Sequence, residues 1–151
     1  MNPAISLCAH LAGDDVTTLP VAPDDALEWH DGPVVAVVRC GVCGSAGLLD
    51  LLDWTDGGRT RVYALAGIDA AAVALYLRNV ARGSCDLARR QREVEALVAS
   101  AGPPERIVAR DAVGDVVKSV AWPADVAPPG DTWQERVRRA GPEWRRRVGL
   151  A

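Results

Sequence analysis

Apolar positions in this chain fall into short runs separated by Gly, Pro and Asp, and the spacing inside each run predicts its conformation. Residues 34–39, Val-Val-Ala-Val-Val-Arg, follow Gly32-Pro33 as a β-branched run with no polar face. That is the pattern of a central strand covered on both sides. Leu48, Leu49, Leu51, Leu52 and Trp54 surround Asp50 and Asp53. Strict alternation is absent there. A helix gathers Leu48, Leu49 and Leu52 on one face and sets both Asp on the other, so the spacing predicts a helix over 48–54 carrying a solvated acidic pair. Thr55-Asp56-Gly57-Gly58 reads as a turn and residues 61–66 as a second strand. Asp69 caps a helix over 70–82 with Val73, Leu77 and Val80 on one face, and Gly83 ends it. Ser84 caps a further helix to about Ser100 with Leu87, Val94, Leu97 and Val98 inward, stopped by Gly102-Pro103-Pro104. Residues 106–110 and 116–121 flank Ala112-Val113-Gly114-Asp115 as a hairpin. Thr132-Trp133-Gln134-Glu135 has capping-box spacing and opens a terminal helix that Pro142 interrupts. Residues 3–12 fit either element: Asn2-Pro3 is a helix entry, whereas Ile5, Leu7, Ala9 and Leu11 alternate as in a strand. Residues 13–33, rich in Asp, Pro and Gly, read as an irregular lead-in.

The resulting order, β–α–β–α–α–β–β–α, implies a parallel strand pair with a right-handed crossover, followed by an antiparallel hairpin. The expected fold is α/β, a mixed sheet with helices on both faces. With 151 residues the chain reads as one domain, its core about 27–122, and 123–151 a Pro-rich linker plus a basic C-terminal helix. A hydrophobic content of 49% without any Phe leaves Ala, Val and Leu, with five Trp, to fill the interior.

A net charge of −3 argues against nucleic acid as a partner. Residues 131–151 hold six Arg against three acidic residues, and this basic end is expected to rest on the acidic body, with Trp133 and Trp144 packed against it. No run is long and apolar enough to span a bilayer, so no membrane partner is expected. The start of the chain, Met1 to Cys8, lacks a basic flank followed by an apolar run. The expected location is cytoplasmic, and there four cysteines are expected to be reduced, metal-bound or catalytic rather than stapled into disulfides.

The motif with most chemical content is Cys40-Gly41-Val42-Cys43. In the order above it sits where a strand ends and a helix begins. The positive end of the helix dipole stabilises a thiolate there. Cys40, nearer the open helix end, is then the nucleophile, and Cys43, one turn behind, is the resolving thiol.

Strand, Cys-x-x-Cys, helix, strand, helix and a Pro-led hairpin resemble the thioredoxin-like superfamily in its larger reductase and peroxiredoxin-related forms, over about residues 27–122. Gly32 to Val38 resembles the strand before the motif, Val62 to Leu65 and Ala71 to Leu77 the next strand and helix, and Ile107 to Asp111 with Gly114 to Val117 the closing hairpin. The resemblance implies a thiol–disulfide oxidoreductase, or a redox-related binding module, acting on a protein thiol or disulfide with no bound cofactor. It also implies a cis-proline at Pro104, with Pro103 as the alternative, shaping a substrate groove. Arg39 stands beside that groove where the family usually has Trp, and its charge lowers a neighbouring thiol pKa or simply faces solvent.

Cys40-Gly41-Val42-Cys43-Gly44 is also a zinc-knuckle pattern, in which thiolates grip a tetrahedral ion and Gly permits φ > 0. Residues 46–66 would then be a hairpin, and Cys8 and His10 would supply the other two ligands if their segment is a strand with both on one face. This alternative makes the chain a metal-binding or non-catalytic interaction protein holding Zn through Cys8, His10, Cys40 and Cys43. Cys85 follows a helix that carries the chain about 20 Å away, and it reads as a small packed apolar group. His30, Asp14-Asp15 and Asp24-Asp25 read as surface or loop residues.

Overall fold

The computed structural model describes residues 5–13, 26–29, 33–53, 60–81, 87–126 and 143–149. The turn at 55–58, the helix start at 132–135, Asp14-Asp15, Asp24-Asp25, His30, Trp54, Gly83, Ser84, Cys85, Trp133 and Pro142 lie outside the described residues. Among the described residues six strands form one sheet in chain order: β1 (Ala26–Trp29), β2 (Pro33–Arg39), β3 (Ala46–Leu51), β4 (Arg61–Gly67), β5 (Pro104–Arg110) and β6 (Val116–Ala121). Every neighbouring pair is antiparallel. Two helices, α1 (Ala70–Ala81) and α2 (Leu87–Ser100), are inserted between β4 and β5, and a short α3 (Glu143–Arg147) follows the sheet.

This corrects the expected fold class. The sheet is an antiparallel meander rather than the mixed sheet of a thioredoxin-like α/β fold, and no crossover follows the Cys-x-x-Cys motif. The correction turns on residues 48–54, where the expected helix gives way to strand β3. Leu48 lies opposite Val37 and Ala66, while Leu49 lies opposite Ala36 and Leu65. All of β3 is buried. A strand covered on both faces takes apolar residues at consecutive positions, which removes the alternation that would have marked it. Gly47 fits this close packing, since a Cβ there would lie 3.0 Å from Leu65 Cδ1 and 3.1 Å from Val38 Cγ2 on the neighbouring strands.

The other elements fall close to their expected places. Asp69 Oδ1 accepts from Ala71 N at 2.9 Å and caps α1. The buried side of α1 is Val73 and Tyr76, whereas Leu77 is 50% exposed. In α2, Val94, Leu97 and Val98 are buried as expected, and Leu87 is exposed. The β5–β6 turn has Gly114 at φ 95°, and Asp111 Oδ1 accepts from both Val113 N and Asp115 N at 3.0 Å.

Alternation along the sheet separates two apolar layers. Tyr63, Leu65 and Val108 share a core with Val73, Tyr76, Val94, Leu97 and Val98 of the helical pair. The intervening residues Val62, Ala64, Ile107 and Ala109 share a second cluster with Trp144 and Val148. Trp144 is buried and its ring centroid lies 5.2 Å from that of Trp122. The described part of the C-terminal end thus packs on the sheet through Trp144 and Val148.

Asp50 and Asp53 are both buried rather than solvated. The Asp53 carboxylate pairs with the Arg145 guanidinium, which also donates to the Thr60 carbonyl. One arginine therefore ties α3 to the end of β3 and the start of β4. Asp53→Asn and Arg145→Ala are each expected to destabilise the protein, by up to about 3 kcal/mol, because one takes the carboxylate from a half-buried guanidinium and the other takes the guanidinium from a fully sheltered carboxylate. The double variant should cost scarcely more than either single one. Urea denaturation checks this, and additive losses would show that the pair is not coupled. The Arg147–Asp125 contact at 4.0 Å is largely exposed and contributes little.

Candidate metal centre

The pairing of Arg39 with Ala46 closes β2 and β3 over the connection 40–45. Within it, Cys40 N donates to Ser45 O at 2.8 Å and Gly44 N donates to Cys40 O at 2.9 Å. Gly44 has φ 74°, and a Cβ there would meet nothing within 4 Å, so backbone conformation alone selects glycine. Val42 N points at Cys40 Sγ from 3.4 Å. The loop is thus a knuckle held by its own backbone, with the Cys40 sulfur inside and Cys43 at the surface.

The N-terminal segment reaches this end of the sheet through a close contact. Gly67, the last residue of β4, lies opposite Gly47. A Cβ on Gly67 would fall 2.5 Å from the Ser6 carbonyl carbon and 2.8 Å from Leu7 N, so the backbone of Ser6 and Leu7 lies directly against it. Leu7 N donates to Glu105 Oε2 at 2.6 Å, and Leu7 and Leu11 are buried in the main core. Between these two anchors the chain turns. Ala12 N donates to Cys8 O at 3.0 Å, and Leu11 N points at Cys8 Sγ from 3.5 Å. Cys8 and His10 therefore converge from a turn, not from one face of a strand.

Turn and knuckle together bring Cys8, His10, Cys40 and Cys43 into one cluster, their ligand atoms all within 4.8 Å of one another. A tetrahedron with Zn–S bonds of 2.3 Å has edges of about 3.8 Å, so a small inward movement of side chains seats an ion. Three thiols and an imidazole form a soft donor set that suits zinc and not magnesium or calcium. The cluster can hold a metal ion of this kind. None of the cysteines among the described residues is in a disulfide.

The electrostatics of the metal-free site follow from its surroundings. The Ser45 side chain and backbone, followed by the His10 side chain, bring the Cys43 thiol down to about 6. Burial pushes the Cys8 thiol up, opposed by the Leu11 N–H. As a thiol, Cys43 donates to Ser45 Oγ at 3.2 Å. Once ionised, its sulfur accepts the hydroxyl proton instead.

The residues assigned to disulfide exchange are placed differently from expectation. The chain after Cys43 enters β3, so the helix expected to start at the motif is replaced by a strand. Cys40 is buried and Cys43 is the accessible sulfur. Pro104 opens β5 opposite Ala66, and no peptide bond among the described residues is cis, so the expected cis-proline groove is not formed. Arg39 is exposed at the end of β2 and is not among the groups that lower the Cys43 thiol.

Two contributors were missed in the sequence. Ser45 carries a weak signal, a hydroxyl two residues past Cys43. Gly67 carries none, because the backbone it accommodates is remote in the chain. No family model, curated protein or solved structure matches this chain.

In metal-free protein Ser45 stays beside Cys43 in the knuckle, so alkylation of Cys43 is expected to slow with a midpoint below the ordinary thiol range as the pH falls, since the thiolate is the nucleophile. Ser45→Ala should move that midpoint upward. The pH dependence of iodoacetamide labelling, read site by site by mass spectrometry, checks both, and an unmoved midpoint would exclude the Ser45 contact as the cause.

Proposed function

We propose that this chain is a zinc-binding protein in which Cys8, His10, Cys40 and Cys43 hold one structural ion. The supporting observation is the convergence of these four side chains from two segments far apart in sequence, with all ligand atoms within 4.8 Å. Four protein ligands complete a tetrahedral shell and leave no open position for substrate, which is the arrangement of structural rather than catalytic zinc.

Magnitudes agree with a structural role. Burying Leu7 and Leu11 stabilises the N-terminal segment by about 2 kcal/mol each. Ordering residues 5–13 costs about 10 kcal/mol or more at 1–2 kcal/mol per residue. A structural zinc ion contributes about 10–16 kcal/mol at neutral pH, enough to decide the balance. The premise of the exchange reading, a helix start beneath Cys40, is replaced by a strand, whereas the hairpin required by the zinc reading is present as β3 and β4.

Protein purified without chelator should carry one zinc per chain by elemental analysis. Cobalt substitution should give the absorption of a tetrahedral thiolate site. Cys8→Ser and Cys40→Ser should each leave zinc below stoichiometry after dialysis. Protein that neither carries nor takes up zinc or cobalt, yet reduces insulin disulfides, would reject the metal reading in favour of exchange.

A further inference from the structure

The two halves of the cluster differ in what holds them. The knuckle half, Cys40 and Cys43, is built on the β2–β3 pairing and on the hydrogen bonds Cys40 N to Ser45 O and Gly44 N to Cys40 O, none of which involves an ion. The N-terminal half, Cys8 and His10, is held by two leucine anchors, the Leu7 N–Glu105 hydrogen bond and contact with Gly67. No strand of the sheet includes residues 5–13.

Each half also supplies one sheltered and one open ligand. Cys40 is buried and Cys8 half-buried, while Cys43 and His10 are exposed. The open pair lets a competing ligand reach the ion without unfolding the sheet.

We propose that the ion is a releasable latch: its loss undocks residues 5–13 and frees Leu7 and Leu11, while the six-stranded sheet and its knuckle stay folded. This rests on the metal reading above and adds to it that the ion controls one segment and not the whole fold. Metal occupancy is thereby converted into the exposure of an apolar segment that the loaded protein keeps buried. Gly67 is a positioning residue in this device, since only a bare Cα lets the Ser6–Leu7 backbone come close enough to bring Cys8 and His10 to the knuckle.

Hydrogen exchange of the full chain, loaded with zinc and again after EDTA, tests this. The amides of Leu7, Leu11 and Ala12 should lose at least tenfold in protection on chelation, while Val62, Ala64 and Ile107 in β4 and β5 keep theirs. Gly67→Ala should weaken zinc binding about tenfold or more and expose the N-terminal amides even with zinc present, its β4 and β5 amides remaining protected. Simultaneous loss of protection in strap and sheet, or unchanged N-terminal amides in a protein shown to have lost its zinc, would overturn the latch and leave the metal site standing. Failure of the wild-type chain to bind zinc at all would overturn both.

Discussion

The structure depends on one close approach, the backbone of Ser6 and Leu7 lying against Gly67. Antiparallel pairing of β2, β3 and β4 aligns the 40–45 knuckle with the end of β4. Beside that alignment β4 ends in a residue without a side chain, and the backbone leading to Cys8 and His10 occupies the space. A methyl group at this position would meet backbone atoms, which cannot rotate aside as a flexible side chain can. A residue without a side chain thereby lets the backbone carrying Cys8 and His10 reach the knuckle.

The sheet itself is organised by being covered on two sides. The helical pair α1–α2 and the N-terminal leucines share a core with one set of alternating residues, and Trp144 and Val148 close the other set over β4 and β5. The second layer is small, so its closure leans on the buried Asp53–Arg145 pair and on Trp122 stacked near Trp144. Ion pairs at a protein surface contribute little. This one is different because the Asp53 side chain is fully sheltered, and a sheltered carboxylate without its guanidinium would destabilise the layer it now fastens.

Much of this was legible in the chain. The β-branched run at 34–39, the capped helix from Ala70 and the Gly114 hairpin each carry a local signal, and each appears close to where it was expected. The error at 48–54 is informative: Leu48, Leu49, Leu51 and Leu52 are as consistent with a helix face as with a strand covered on both sides, and only the neighbours on each face decide. That single misassignment turned a hairpin into a crossover and the site into a helix start. Cys8 and His10 were recognised as candidate ligands, but from strand geometry, whereas a turn between two leucine anchors presents them. The fit of Ser6 to Gly67 had no local trace, because a contact between remote segments leaves no periodicity. The partner of Asp53 was hidden for the same reason.

The strictly sequential order of the strands also shapes the route by which the chain reaches its native state. β1 to β4 pair with immediate neighbours, as do β5 and β6, so each group needs only short loops to close. One pairing, β5 on β4, must wait until the polypeptide returns across residues 68–103. Loop entropy opposes that closure, and the contacts it forms are among the most distant in sequence within the sheet. Contact between α1 and α2 shortens the effective span that this closure must bridge.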